Sequence, residues 1–186
     1  VEDTDGVGVL YTKTGEYSAI LKMDNPVQKY SANADSYYEF SHLFNAIAQT
    51  LGEGYALHKQ DIFTRKRFDV EDSANREFLS SAYFGYFKGR HYTDSVTYLT
   101  VTQESKGSRL FSFDNKKWRD FLVKIRKVHD QLKDAGVSVR FLTKEEATDY
   151  VDRYFAVNFR DKTISMSNFK VDEECIGMGN KKCKVY

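Results

Sequence analysis

The sequence predicts a single α+β domain over residues 1–186, built on a mainly antiparallel sheet with helices packed on one face. Three observations carry that expectation. Stretches with apolar residues two apart alternate along the chain with stretches whose apolar residues recur three and four apart, the periods of strand and helix. With 186 residues, 41% of them hydrophobic, the chain can bury roughly 70% of its unfolded surface without a disulfide or metal staple. Proline occurs once, at Pro26, where average usage of about 5% would place about nine, so no Pro-rich linker divides it.

Residues 7–10 and 17–23 read as strands around a turn at Lys13-Thr14-Gly15-Glu16, and Asp24-Asn25-Pro26 ends the second. Ser36-x-x-Glu39 forms a capping-box pattern, followed by Tyr37, Phe40, Phe44, Ile47 and Leu51 on one helical face; Gly52 and Gly54 close that helix. Residues 55–63 read as a strand running into the cationic cluster Arg65-Lys66-Arg67. A second helix is expected over 72–86 with Leu79, Ala82, Tyr83 and Tyr86 inward, although Phe78, Phe84 and Phe87 make it apolar on nearly every side.

Residues 95–103, rich in β-branched and aromatic side chains, give the strongest strand signal. Asp114 can cap a third helix with the stripe Trp118, Phe121, Leu122, Ile125, His129 and Leu132, closed by Gly136. Val137, Val139 and Phe141 then alternate as a strand. Thr143-x-x-Glu146 is a second capping box, starting a helix with Ala147, Tyr150, Val151, Tyr154 and Phe155 inward. From Thr163 onward short strands are expected, ending in a β-hairpin that turns at Gly177-Met178-Gly179-Asn180. Setting aside the inserted helix, the order is two strand-helix-strand units in series. That is the plan of a ferredoxin-like, split βαβ core, with an extra helix and a C-terminal hairpin added.

The formal net charge of +1 disfavours a globally basic nucleic-acid or membrane binder. No stretch reaches the roughly 18 apolar residues of a membrane span, and the acidic start Val1-Glu2-Asp3-Thr4-Asp5 is unlike a signal peptide, so a soluble chain is expected. The first residue is Val and the last lie within a strand-like pattern, which reads as a piece of a larger protein. Two cysteines and no N-x-Ser/Thr site favour a reducing compartment.

Chemistry-bearing patterns are incomplete. Neither Gly6-Val7-Gly8 nor the Gly177-Met178-Gly179-Asn180-Lys181-Lys182 run has the spacing and hydroxyl of a phosphate-binding loop. His42, His58, His91 and His129 are scattered, and no Cys-x-x-Cys occurs. Cys175 and Cys183 are symmetric about Gly179, so in a hairpin they can face each other, as a pair of small apolar residues or as a redox pair. Asp3-Thr4-Asp5-Gly6 resembles the opening of a calcium loop but lacks its closing Glu. The carboxylates Asp172-Glu173-Glu174 are neighbours on a strand and point alternately to opposite faces. No catalytic residue, cofactor site or metal site is therefore assigned, and a stand-alone enzyme has only the cysteines and dispersed histidines in its favour.

Two surface features remain. Arg65-Lys66-Arg67, and the helix bearing Lys116, Lys117, Arg119, Lys124, Arg126 and Lys127, are local basic patches that can contact phosphate or serve as solvated faces. The aromatic block with Tyr83 and Tyr86 is either a docking surface or a helix buried under the sheet. Arg65, Lys66, Arg67, Tyr83 and Tyr86 are the candidate interaction surface.

Long blocks of the chain resemble a family. Tyr17-Ser18-Ala19-Ile20-Leu21-Lys22-Met23-Asp24-Asn25-Pro26-Val27, then Tyr30-Ser31-Ala32-Asn33-Ala34-Asp35-Ser36-Tyr37-Tyr38-Glu39-Phe40, are similar to the N-terminal region of TraG-type conjugation ATPases of Bacteroidetes conjugative transposons. The resemblance continues through Leu51-Gly52-Glu53-Gly54-Tyr55, Lys59-Gln60-Asp61-Ile62-Phe63, Gly89-Arg90-x-Tyr92-Thr93-Asp94 and Thr97-Tyr98-Leu99-Thr100-Val101-Thr102-Gln103. It implies an N-terminal assembly domain of a type IV secretion-like motor, expected to be followed downstream by a RecA-like ATPase domain using ATP and Mg²⁺. No Walker motif lies in these 186 residues, so no family catalytic residue has a position here. The implied partners are mating-channel and inner-membrane components and other subunits of the ATPase, at the cytoplasmic face of the bacterial inner membrane. The alternative is a domain contacting single-stranded nucleic acid in the same machinery.

Overall fold

The computed structural model describes residues 1–12, 14–26, 30, 33–69, 78–105, 114–160, 169–171, 175–178 and 181–184. In chain order the elements are β1 (Glu2–Thr4), β2 (Val7–Tyr11), β3 (Tyr17–Asp24), α1 (Ala34–Leu51), β4 (Tyr55–Arg67), α2 (Phe78–Phe87), β5 (His91–Gln103), α3 (Asn115–Asp134), β6 (Val139–Phe141), α4 (Lys144–Ala156), β7 (Phe169–Val171), β8 (Cys175–Met178) and β9 (Lys181–Lys184). The fold is α+β with a mainly antiparallel sheet, as the alternating periods predict.

The main sheet has six strands in the order β1-β2-β3-β5-β4, with β6 also paired to β3. β2 takes the first half of one edge of β3, opposite Tyr17 to Ala19, and β6 takes the second half, opposite Leu21 to Met23. Every pairing is antiparallel. The strand β1, absent from the sequence reading, joins β2 through Asp5 and Gly6, whose φ angles of 52° and 78° are those of a tight hairpin turn matched to strand twist. The calcium-loop pattern is therefore this hairpin.

Successive strand residues point to opposite faces, so the sheet has two cores. On one face Tyr17, Ala19, Leu21 and Met23 of β3 and Leu99 and Val101 of β5 pack against Ile47 and Leu51 of α1 and Phe121, Ile125, Val128 and Leu132 of α3. On the other, Ile20 packs with Leu142, Ala147 and Tyr150. The helices α1 and α3 share one face as expected, whereas α4 lies on the opposite face, because Ile20, Leu10, Ile62 and Tyr98 leave an apolar strip there that needs cover.

Caps show where local chemistry decides. Asp114 accepts from the amides of Lys116 and Lys117, and Thr143 with Glu146 forms the reciprocal box ahead of α4. α1 starts three residues before its predicted box, with Asn33 as cap and the Ser36 amide donating to it at 2.8 Å. Tyr37, expected on the inner face, is 65% exposed.

The C-terminal strands form a three-stranded antiparallel sheet, β7-β8-β9, whose last two strands are the expected hairpin, with Gly177 and Met178 inside β8 rather than in the turn. Its register sets Cys175 opposite Lys184 and Cys183 opposite Ile176, so the expected cysteine pairing across the hairpin is not formed. Met178 pairs with Lys181, so the symmetry point is shifted by half a residue from Gly179. The predicted start of the second helix at Asp72 and the Asp172-Glu173-Glu174 cluster lie outside the described residues.

Candidate functional site

β4 and β5 are 13 residues each and pair without interruption from Tyr55–Gln103 to Arg67–His91. β3 reaches β5 only from Val96 to Gln103. The rungs from Phe63–Ser95 to Arg67–His91 thus run past β3 as a two-stranded arm, and α2 sits at its tip. Phe68 fastens the helix: its ring stacks on Phe84 at 6.0 Å and meets Phe87 and Tyr92 edge-on at 6.2 and 6.4 Å. The Phe68 amide donates to the Arg90 carbonyl at 2.8 Å, and the Gly89 amide donates back to the Phe68 carbonyl at 2.8 Å.

The side of α2 expected to face inward points out. Leu79 is 78% exposed, and Tyr83 and Tyr86 are 60% exposed each. Burial under the sheet is not adopted. A helix apolar all round carries no phase of its own, so Phe68 selects Phe84 and Phe87 as the inner side. Arg90 lies over the Tyr86 ring, 3.6 Å from its centroid.

Arg65, Lys66 and Arg67 do not act as one cluster, because they lie in β4 and alternate between its faces. Lys66 pairs with Asp94. Arg65 and Arg67 share the other side with His91, and Arg67 Nε donates to His91 Nε2 at 3.3 Å. Arg65 above all, then desolvation, Arg67 and Arg160, hold the His91 imidazole below its ordinary pKa. Arg160 is the addition that sequence reading missed; it follows α4 and reaches this site only through the fold. None of Arg65, Arg67 and Arg160 has a carboxylate within ion-pair distance among the described residues. Beside the outer edge of β4 runs an open groove of about 550 Å³, lined by Ile62, Phe63, Thr64 and Arg65 on one side and residues 157–160 on the other.

The second basic patch is partly neutralised. On α3, Lys124 donates to the Leu51 carbonyl at 2.8 Å and pairs with Asp120, while Arg126 pairs with Asp5 at 2.7 Å. His129 stacks on Phe141 at 5.2 Å and contacts Asp130 through Nδ1, a core-edge arrangement.

A second concavity, about 270 Å³, lies between the sheet and α4. Its charges largely satisfy one another. Arg140 grips Glu146 through two bonds of 2.6 and 2.7 Å, and that guanidinium holds the carboxyl at a pKa of about 2. Arg153 pairs with Asp149 at 2.6 Å. Tyr150 donates to Gln60, and burial pushes its phenol up to about 12. These contacts orient the helix against the sheet.

Among the described residues no group of three or more His, Cys, Asp or Glu side chains converges as a metal site. No helix among them is long and apolar enough to cross a membrane. No family model and no curated protein matches the chain.

Proposed function

We propose that this chain is the N-terminal docking domain of a conjugative-transfer motor ATPase of the TraG type, linking the motor to the mating channel at the cytoplasmic face of the inner membrane. The carrying observation is α2, which holds Leu79, Tyr83 and Tyr86 exposed at the end of a two-stranded arm, since clustered exposed aromatics mark interaction surfaces. The resemblance of the sequence blocks to that family supports this reading of the machinery. In this reading catalysis, with ATP and Mg²⁺, belongs to a downstream RecA-like domain, and the present residues supply attachment. The strand order β6-β3-β5-β4, with α1 and α3 on one face, supports reading the core as a split βαβ unit carrying α2 as an insertion and α4 as an addition.

The test is conjugative transfer by the full-length parent carrying Tyr83→Ser and Tyr86→Ser. Transfer should fall while the protein accumulates normally and still hydrolyses ATP. Undiminished transfer would remove α2 as the docking element.

A second reading, contact with single-stranded nucleic acid, draws on Arg65, Arg67 and Arg160, which lack carboxylate partners among the described residues. It predicts salt-sensitive binding of oligothymidylate that weakens when these arginines are changed to Glu. Absence of binding at low salt rejects it.

A further inference from the structure

We infer that the outer edge of β4, over residues 61–67, accepts an acidic, extended polypeptide segment as an added antiparallel or parallel strand. β4 ends the sheet and keeps one register with β5 throughout, without a bulge. At one end of that register the Glu104 amide donates to the Gly54 carbonyl at 2.9 Å, and at the other the Phe68 amide donates to the Arg90 carbonyl at 2.8 Å. Hydrogen-bonded pairs alternate in an antiparallel ladder, so the even-numbered residues of β4 bond inward. The odd-numbered ones, Asp61, Phe63, Arg65 and Arg67 among them, turn their N–H and C=O groups outward. Nothing among the described residues pairs with them.

A long free edge is a template for another strand, and proteins commonly guard it with charge. Here the guard is of one sign at one end. Arg65, Arg67 and Arg160 each act on the His91 imidazole through their positive charge, and the adjoining groove carries Arg65 and Arg160 with no carboxylate among its described lining residues. Such an edge disfavours a basic strand and a second copy of itself, which would bring two sets of arginines together. It suits an acidic strand, whose alternate carboxylates would lie on the face of Arg65 and Arg67 while its intervening apolar residues lie on the opposite face, beside Ile62. A polynucleotide matches less well, because the outward carbonyls need donors that phosphates lack. This surface is separate from the exposed side of α2, and the inference stands whether or not α2 docks.

The probe is a labelled peptide of about eight residues alternating Glu and Val, enough to span the free edge at strand rise. Its binding to the 186-residue chain would be followed by fluorescence anisotropy, and its footprint by amide hydrogen exchange. Binding is expected, with new protection of the amides of Asp61, Phe63, Arg65 and Arg67. Methylating alternate backbone nitrogens of the peptide, or introducing Arg65→Glu with Arg67→Glu in the protein, should each weaken binding about tenfold or more. Both arginines are exposed, and the unchanged melting of the variant would show that folding is intact. The inference is overturned if the peptide does not bind at low salt, if the methylated peptide binds equally well, or if protection appears on α2 instead. Binding of oligothymidylate without binding of the peptide, or peptide-independent dimers closed through β4, would also overturn it.

Discussion

The Gly8 amide donates to the Leu142 carbonyl at 2.8 Å, at the point where the start of β2 meets the end of β6 along the edge of β3. The Leu142 amide in turn donates to Ile20 at 2.9 Å, so one residue after β6 stitches together the two strands that share that edge. The approach is close enough to exclude a side chain at position 8. A Cβ there would stand 2.5 Å from the Thr143 carbonyl oxygen and 2.9 Å from the Lys144 nitrogen, both backbone atoms at the start of α4.

Gly8→Ala should therefore push the α4 capping box off the sheet edge and destabilise the fold by about 1–3 kcal/mol, the usual range for overpacking. Urea denaturation of the variant measures this directly. An unchanged midpoint would show that the loop moves aside without cost.

The Arg140–Glu146 pair gives a pH dependence whose sign follows from the carboxyl pKa. Folding lowers it from 4.5 to about 2, so the stabilisation is fully present above pH 4.5 and is lost as the pH falls toward 2. Both side chains are substantially exposed, which limits the contribution to about 0.5–1 kcal/mol. The stability gap between the native chain and Glu146→Gln should be open at pH 7 and close on acidification. A gap that stays constant between pH 7 and pH 3 would contradict the assignment.

Phe121 is fully buried and lies 5.9 Å from both the Tyr17 and Trp118 rings, between α3 and the sheet. Phe121→Ala should cost about 3–5 kcal/mol through lost burial and the cavity left behind. Calorimetry would show a much lower melting temperature; a loss under 1 kcal/mol, less than about a third of that range, would mean the two layers collapse into the space.

The exposed tyrosines of α2 should behave oppositely. Tyr83→Ser and Tyr86→Ser together should change stability by no more than about 0.5 kcal/mol, as surface substitutions do. Phe68→Ala, by contrast, removes the ring on which Phe84 and Phe87 rest, so amide exchange should rise in α2 while β3 and α3 stay protected. Equal exchange in α2 before and after would show that something else holds the helix.

Much of the scaffold can be read locally. Three of the helices follow from apolar periodicity, and Asp114, Thr143 and Glu146 mark their starts because a cap needs only side-chain oxygens within a turn of free amides. The same logic misplaced the start of α1, where Ser36-x-x-Glu39 fits the pattern but Asn33, three residues earlier, reaches the amides first. The candidate surface was legible in part: Tyr83 and Tyr86 were found as aromatics in the sequence, yet nothing local told which side of α2 would be covered.

Contacts within a few residues set the alternation of strands and helices, the three well-phased helices, and the cationic and aromatic residues in β4 and in α2. Long-range packing set the rest: α4 crosses to the other face of the sheet, Lys66 is neutralised by Asp94 while Arg65 and Arg67 are not, and Arg160 joins them. It also decided that Cys175 and Cys183 miss each other by one register step. These are relations between residues distant in the chain, set by strand register and by which apolar surface a helix finds to cover, and a register shift of one residue reverses every face it touches.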